Sequence, residues 1–170
     1  LFGMPINTLL PAFSHDVLRG GPDDLGLLLG AMGIGAITGA LMLARLGNVS
    51  RKGVWLVGTC IAWGVLMGLF ATTRSLLWAC GVIALVGWTS AWNVALNRGL
   101  LQTIASPQMR GRIMSMFTLV LMGAMPLGNI LIGALAGLIG TMAAVATFGV
   151  GLCAAIGIIT LARRELLVTV

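Results

Sequence analysis

Four long uncharged stretches constrain the fold of this 170-residue chain more than any other feature. They are Leu25–Ala44, Gly53–Thr73, Ser75–Asn97 and Ile113–Ala162, of 20, 21, 23 and 50 residues. An α-helix needs about 20 mostly apolar residues to cross the hydrocarbon core of a bilayer. Because backbone groups in lipid must be satisfied within the protein, these stretches predict membrane-spanning helices. A transmembrane barrel would need alternating strands of about 10 residues, and the sequence shows no such pattern.

Two irregular stretches decide the number of helices. The 50-residue run is too long for one helix across a core of about 30 Å, so we expect it to turn once. The glycines of Gly137–Thr141 (GLIGT) make this segment the predicted turn. The uncharged segment Leu1–Ser14 has only 14 residues, and we interpret it as a first helix truncated at its start. The prediction is an all-α integral membrane protein, a six-helix bundle.

The composition excludes most soluble classes. Only 8% of the residues are charged, whereas a soluble domain has about 25%. The net charge of +6 does not indicate a nucleic-acid partner, because the basic residues lie at the ends of apolar runs without interleaved aromatic residues. The three cysteines lie inside apolar runs and are interpreted as packing residues. His15 and the nearby Asp16, Asp23 and Asp24 fit no ligand spacing, so neither a metal nor a cofactor is predicted.

The charges on the connecting segments predict an orientation. One set carries eight basic residues, which are Arg45, Arg51, Lys52, Arg98, Arg110, Arg112, Arg163 and Arg164. The other set carries only Arg19 and Arg74, close to acidic residues. Since cytoplasmic loops are enriched in Lys and Arg, the first set and the C-terminus are predicted to be cytoplasmic, with the helices alternating in direction.

Two segments suggest an internal repeat. Leu28–Ile37 (LLGAMGIGAI) and Leu121–Ile130 (LMGAMPLGNI) agree at six positions. They fall in the second and fifth predicted helices, which run in opposite directions, as in an inverted repeat of two three-helix units. The predicted units are residues 1–73 and 74–170. Chance matching between Gly- and Ala-rich segments is the alternative.

Glycines spaced four residues apart predict where helices pack closely. The pairs are Gly26/Gly30, Gly35/Gly39, Gly64/Gly68 and Gly133/Gly137. Small residues at this spacing let two backbones approach each other inside a bilayer. Any single pair also fits the ordinary glycine content of membrane helices.

The segment Asn97–Asn129 carries the most specific pattern in the chain. It contains Gln102, Ser106-Pro107, Arg110-Gly111-Arg112-Ile113-Met114-Ser115 and Pro126-Leu127-Gly128. This sequence segment resembles the loop between the tenth and eleventh helices of major facilitator superfamily exporters. The transmembrane secretion effector group is the most similar, with its enterobactin-exporter-like and macrolide-efflux-like proteins. Leu10–Phe13 with Asp16–Leu18 resembles the end of the seventh helix of that group, and Gly26–Gly47 resembles the eighth.

The resemblance implies that this chain holds helices seven to twelve of a twelve-helix transporter. Its partners would be the lipid bilayer, an N-terminal half outside this chain and a small-molecule cargo. It implies a secondary transporter of the cytoplasmic (inner) membrane that exports a drug, siderophore or other small metabolite by proton antiport and alternating access. Gly39–Lys52 resembles a degraded copy of the superfamily's cytoplasmic gating motif, with Leu46-Gly47 where the motif has an Asp. A non-transporting membrane scaffold or assembly protein is the alternative.

Polar, aromatic and methionine side chains inside the spans are the candidates for the substrate pathway. They are Asn7, Thr38, Trp88, Trp92, Asn93, Met122, Met125 and Asn129. An amide in hydrocarbon needs a partner, so each Asn lines a cavity or bonds to a neighbouring helix. The tryptophans could stack on a flat cargo or belong to an interfacial belt, and the methionines could serve cargo or packing. No whole span contains an ionisable residue, so the coupling carboxylate is expected in the other half, and no enzyme site is predicted.

Further candidates lie at the predicted cytoplasmic ends. Arg45, Arg51, Lys52, Arg110 and Arg112 are predicted to form a gating latch or a lipid anchor, with solvated positive-inside charges as the alternative. Ser106-Pro107 is predicted to cap the fifth helix, which places Arg110 and Arg112 in its first turn. Pro126 removes one backbone hydrogen bond and is predicted to kink that helix.

Overall fold

Four long helices make up most of what the structure shows. The computed structural model describes residues 10–11, 14, 21–47, 52–104, 106, 108–141, 143–147 and 149–151. The helices are α1 (Pro22–Leu46), α2 (Lys52–Thr72), α3 (Leu76–Ile104) and α4 (Arg110–Ile139), and the described residues contain no strand. All four are long and apolar enough to cross a membrane. The all-α membrane prediction is thereby confirmed, while the count of six helices and the two inverted units remain predictions.

Helix α1 begins and ends with the signals that physical chemistry favours. Pro22 occupies its first turn, where a missing N–H costs nothing. The Gly21 N–H donates to the Asp24 carboxylate at 3.2 Å, which satisfies one backbone donor of the helix start. The first turn is acidic and the last contains Arg45, so both ends match the helix dipole. Gly47 follows with a φ of 64°, a conformation that side chains rarely adopt.

Helix α3 extends further than predicted. The expected span ended at Asn97, with Arg98 in a loop, but the helix continues to Ile104 and contains Arg98. Its 29 residues correspond to about 43 Å, which exceeds the hydrocarbon core of about 30 Å. A helix of this length can extend past the core at one end. The predicted end of this helix was wrong, because a helix can continue through a charged residue outside the hydrocarbon.

The start of α4 also differs from the expectation. Helix α4 begins at Arg110 after Met109, so the predicted cap at Ser106 was wrong. Instead, the Ser106 carbonyl accepts the backbone N–H groups of Met109 and Arg110 at 2.9 and 3.1 Å, in a turn that precedes the helix. Arg110 and Arg112 do lie in the first turn, as predicted.

Helix α4 ends inside the segment predicted to turn. Its last residue is Ile139, and Gly140 follows with a φ of 86°, which favours glycine. The Gly140 N–H donates to the Ala136 carbonyl at 2.9 Å, and helical structure resumes at Thr141. The interruption of the 50-residue run therefore lies between Gly137 and Thr141, as the glycines indicated.

Close contacts show how the first three helices run. Along α1, Gly35 lies against the backbone of Ala84 and Gly39 lies against Trp88, so α1 and α3 are parallel. Trp63 of α2 bonds to Ser90 of α3, and Cys60 of α2 bonds to Asn93 of α3. The residue numbers of the bonded partners therefore fall along α2 as they rise along α3. Helices α2 and α3 are therefore antiparallel. Alternating direction is what successive crossings of a membrane require.

A buried core holds α1, α2 and α3 together. Its fully or nearly fully buried members include Leu28 of α1, Trp63, Met67 and Phe70 of α2, and Ile83 and Val86 of α3. Ile132 of α4 and Val145 belong to the same cluster. Most other apolar residues of α4 are exposed, including Leu119, Val120 and Ile130. The described chain is thus a compact three-helix unit on which α4 packs through a small area.

Candidate substrate pathway and aromatic cluster

Three tryptophans gather where α1, α2 and α3 meet. The rings of Trp88 and Trp92, one turn apart on α3, stack with centroids 4.6 Å apart. Trp55 of α2 meets Trp92 at 5.3 Å with its ring tilted by 48°. We call these three residues the aromatic cluster. Aromatic pairs in such offset or tilted geometries contribute about 0.5–1.5 kcal/mol beyond the burial of their area.

Trp92 is the buried centre of the aromatic cluster. It is only 1% exposed, and its indole N–H donates to the Gly39 carbonyl of α1 at 2.8 Å. This bond needs the close approach that Gly39 allows, since a Cβ there would lie 2.8 Å from the Trp88 carbonyl. Trp92 therefore joins α1 to α3 and contacts α2 through Trp55. Trp88 is half-buried and Trp55 is exposed, so these two present the accessible part of the aromatic cluster.

A row of polar side chains connects α2 to α3. The Trp63 indole N–H donates to the Ser90 hydroxyl at 2.9 Å. One helical turn further along α3, the Asn93 amide donates to the Cys60 sulfur at 2.7 Å and to the Thr59 hydroxyl at 3.5 Å. We call these contacts the polar seam. A side-chain bond between membrane helices is worth on average about 0.6 kcal/mol, so the polar seam fixes registry more than it adds stability.

Asn97 extends the polar seam towards the end of α3. Its amide donates to the Asn93 side-chain oxygen at 2.9 Å and to the Asn93 backbone carbonyl at 3.0 Å. The amide of Asn93 is thus both donor and acceptor. The sequence placed Asn97 at the last position of a predicted span and Cys60 among the packing residues, without joining them. The spacing of four between the two asparagines was the signal that could have joined them.

Of the two roles considered for Asn93, the structure displays the interhelical bond. Its side chain is half-buried and faces α2 through the polar seam. The Thr38 hydroxyl bonds within its own helix, to the carbonyls of Ile34 and Gly35 at 3.0 Å each. Thr38 is exposed. A threonine satisfied by its own helix can face lipid or a cavity without an unpaired hydroxyl. The pathway roles of both residues remain predictions.

The remaining candidates lie on α4. Met122 is 68% exposed, Pro126 is exposed and Asn129 is half-buried. Their spacing of four and three residues places them along one face of the helix. Helix α4 is continuous through Pro126, and the kink stays a prediction. Of the six pathway candidates whose side chains are described, four belong to the three-helix unit and two to α4; they are Thr38, Trp88, Trp92 and Asn93, and Met122 and Asn129.

Several predicted residues lie outside the described part. Asn7 and Arg51 are not among the described residues, and the side chains of Lys52 and Met125 are not described either. Arg45, Arg110 and Arg112 are described and exposed. Within the described part of the chain, no group of His, Cys, Asp or Glu could hold a metal ion.

Comparison with known proteins decides the family. The model of the transmembrane secretion effector family matches residues 1–167. The chain belongs to that family. The transmembrane secretion effectors are major facilitator exporters, so the resemblance seen in the Asn97–Asn129 segment is confirmed. None of the solved structures matches this member of the family.

Curated relatives of this transmembrane secretion effector are named as exporters. The enterobactin exporter EntS of Salmonella typhi is 33% identical over 131 residues, which cover 76% of this chain and 31% of the relative. That of Citrobacter koseri is 32% identical, with the same coverage. That of Shigella boydii serotype 4 is 30% identical over 149 residues, 86% of this chain and 35% of the relative. The chain therefore spans about a third of the length of the relatives it matches.

Proposed function

We propose that this chain is the C-terminal half of a secondary transporter that exports a small molecule. The observation that carries the proposal is the family match over residues 1–167, together with exporters as relatives. Six helices in two inverted units, residues 1–73 and 74–170, would provide one wall of a central cavity. Six more helices, outside this chain, would provide the opposite wall. The cargo class is a drug, siderophore or other small metabolite.

The proposed mechanism is alternating access by two rigid bundles. Support comes from the three-helix unit, in which glycine contacts, the aromatic cluster and the polar seam fix α1, α2 and α3 to one another. A unit bonded in this way moves as one body more easily than it deforms. Helix α4 presents its Met122–Asn129 face outside this unit, where it can meet cargo or the opposite bundle.

Proton antiport would use a carboxylate from the opposite bundle. The described acidic residues of this chain are Asp23 and Asp24, in the first turn of α1 and outside the hydrocarbon. The described spans offer amides, hydroxyls and indoles, which can bind cargo but do not exchange a proton near neutral pH. In this proposal, residues of this half bind the cargo, and a carboxylate of the other half couples transport to the proton gradient.

The proposed location is the cytoplasmic (inner) membrane with a cytoplasmic C-terminus. Support comes from the described basic residues, since Arg45, Arg98, Arg110 and Arg112 lie at one end of the helices and Arg74 lies at the other. Tags fused after Val170 and within Gly20–Asp24 test the orientation. A tag reporter active only in the cytoplasm should work at the first site and fail at the second. Reporter activity at both sites would contradict the orientation.

Transport in everted vesicles tests the activity. The full-length protein that contains this chain is expressed in cells lacking their own siderophore and drug exporters. An interior-acid gradient is imposed, and a pH-sensitive dye reports proton release when candidate cargo is added. We expect cargo accumulation together with loss of the gradient, and neither change in vesicles with an empty vector.

The outcomes separate the parts of the proposal. Accumulation that survives collapse of the gradient would overturn proton antiport and leave export standing. Cargo binding without accumulation, across siderophores, macrolides and cationic dyes, would favour a scaffold. Trp88→Ala should weaken cargo binding, whereas Trp78→Ala, an exposed tryptophan near the start of α3, is the matched control.

A further inference from the structure

We infer that one end of the three-helix unit and the start of α4 form a binding surface for anionic phospholipid headgroups, centred on Arg45, Arg98 and Arg112. We call these three residues the basic collar. The inference requires only that the chain spans a membrane, and it does not depend on transport or its direction.

The helix directions bring the basic collar to one end. Helices α1 and α3 are parallel, with Gly39 level with Trp88. Arg45 lies six residues beyond Gly39, and Arg98 lies ten residues beyond Trp88. At 1.5 Å per residue these positions are about 9 and 15 Å past the same level. The two therefore differ in height by about 6 Å, which is close to the thickness of roughly 5–8 Å for the headgroup layer on one side of a bilayer.

The third arginine is brought close by the connection between α3 and α4. Helix α3 ends at Ile104 and α4 begins at Arg110, so only five residues separate them. The turn in which the Ser106 carbonyl accepts the Met109 and Arg110 N–H groups shortens this connection further. Arg112 thus lies in the first turn of α4 at the same end as Arg98.

All three side chains of the basic collar are exposed, and the described carboxylates lie elsewhere. Asp23 and Asp24 are in the first turn of α1, at the opposite end of that helix from Arg45. The separation of 21 residues between Asp24 and Arg45 corresponds to about 32 Å, close to the thickness of the hydrocarbon core of about 30 Å. Among the described residues, no carboxylate therefore lies near enough to neutralise the basic collar, which can accept anionic groups.

The exposed apolar surface next to the basic collar favours lipid headgroups as the anionic groups that bind there. Leu41 and Met42 of α1 and Val54 and Trp55 of α2 are exposed just inside this end. Exposed aliphatic residues topped by a partly exposed tryptophan are typical of a protein surface at the lipid interface. Arginine stems can follow that apolar surface while the guanidinium groups reach phosphate oxygens, to which they donate paired hydrogen bonds. Juxtamembrane basic clusters attract anionic lipids in this way.

Lipid titration with native mass spectrometry tests the inference. The full-length protein in mild detergent is titrated with phosphatidylglycerol and, separately, phosphatidylcholine of the same chains. We expect tighter binding of phosphatidylglycerol and loss of this preference in high salt. Each Arg→Gln change in the basic collar should weaken phosphatidylglycerol binding about fivefold, and the three together should abolish the preference.

Two control variants test whether the position and the charge of the basic collar account for the lipid preference. Arg74→Gln removes an exposed arginine at the other end and should leave the preference unchanged. Arg→Lys changes in the basic collar should retain the part of the preference that comes from charge and lose the part that comes from paired guanidinium hydrogen bonds. The single Gln variants decide the matter if the triple variant fails to fold. Equal affinity for the two lipids in the unsubstituted protein, or an equal loss in Arg74→Gln, would overturn the inference.

Discussion

Helices α3 and α4 are nearly equal in length, at 29 and 30 residues, but they bury very different shares of their surface. In the most apolar 18-residue window of α3, 44% of the residues are buried inside the protein, against 12% in α4. Both are rich in apolar residues and carry glycines and at least one asparagine. Apolar content therefore does not decide which of the two helices becomes the centre of the described unit.

The difference comes from complementary shape and polar bonds. Lipid is as apolar as a leucine side chain, so membrane helices associate through close contact and hydrogen bonds. On α3, Gly87 fits against the Met32 carbonyl of α1, and Trp92 and Asn93 bond to neighbouring helices. On α4, a Cβ added at Gly123 or Gly133 would meet nothing within 4 Å. Glycine marks a helix contact only where another backbone fills the space it leaves.

Replacing Gly87 with leucine should produce the largest loss of stability. A Cβ at this position would collide with the Met32 carbonyl, and backbone cannot rotate away as a side chain can. Helices α1 and α3 would have to separate, which also breaks the contact at Gly35. We expect a cost above about 3 kcal/mol, seen as a large drop in Tm or failure to accumulate in the membrane. The measurement is thermal unfolding in detergent by intrinsic fluorescence.

Gly133→Leu is the matched control on α4. The space around Gly133 is open, so the same substitution should change the unfolding free energy by no more than about 1 kcal/mol. Equal losses at Gly87 and Gly133 would mean that α4 packs as tightly as α3, and the contrast between the two helices would be lost.

Trp92→Phe should have a smaller effect than Gly87→Leu. The phenyl ring retains part of the stacking with Trp88 but cannot donate to the Gly39 carbonyl. Loss of this bond and of some buried area should cost about 1–2 kcal/mol of unfolding free energy. Trp78→Phe is the control, because Trp78 is 73% exposed and should change stability by less than about 0.5 kcal/mol. Similar melting of both variants would count against Trp92 as the centre of the aromatic cluster.

A smaller effect is expected from Asn93→Leu. The substitution removes the bonds to Cys60 and Asn97 without leaving a large cavity. A double-mutant cycle with Cys60→Val should give a coupling energy of about 0.6 kcal/mol, the average for side-chain bonds between membrane helices. Asn129→Leu in place of Asn93→Leu should give no coupling with Cys60. A coupling of zero for Asn93 would show that the polar seam contributes only by packing.

The same contrast explains how much of the fold the sequence could predict. Uncharged runs located all four described helices, because a membrane imposes one length and one composition on every span. The break at Gly140 was found because glycine tolerates a positive φ. The end of α3 was missed, since Arg98 was treated as a stop although a helix emerging into the headgroups can carry it. Ser106 was wrongly assigned as a cap from residue type alone.

Contacts between helices were harder to predict than the helices themselves. Gly35 and Gly39 were found by their spacing, but Gly26, Gly30, Gly133 and Gly137 share that spacing and meet nothing. Helix rotation, which decides what a glycine faces, cannot be read from one helix alone. Gly87 and the bond from Trp92 to Gly39 were missed for the same reason. Glycine spacing within one helix identifies a surface that allows close packing. Predicting a contact also requires knowing which neighbouring helix faces that surface.

The smallest effects are expected on the exposed face of α4. Leu119 and Met122 are 74% and 68% exposed, so truncating either to alanine removes few protein contacts. Each should change the unfolding free energy by less than about 0.5 kcal/mol. Ile83→Ala on α3 is the counterpart, because Ile83 is fully buried and its truncation should cost about 2–5 kcal/mol. Thermal unfolding of the three variants in one detergent gives the comparison directly.

Transport measurements on the same variants test whether the exposed face of α4 contacts cargo, the opposite bundle or lipid. If this face meets cargo or the opposite bundle, Met122→Ala should slow export at unchanged stability, because the lost contacts form only during the transport cycle. If it faces lipid throughout, both stability and export should be unchanged. A stability loss at Leu119 or Met122 approaching that of Ile83→Ala would show that a stable protein surface covers α4 at rest. The α4 face would then be a fixed interface, and its role as a moving wall of the cavity would have to be abandoned.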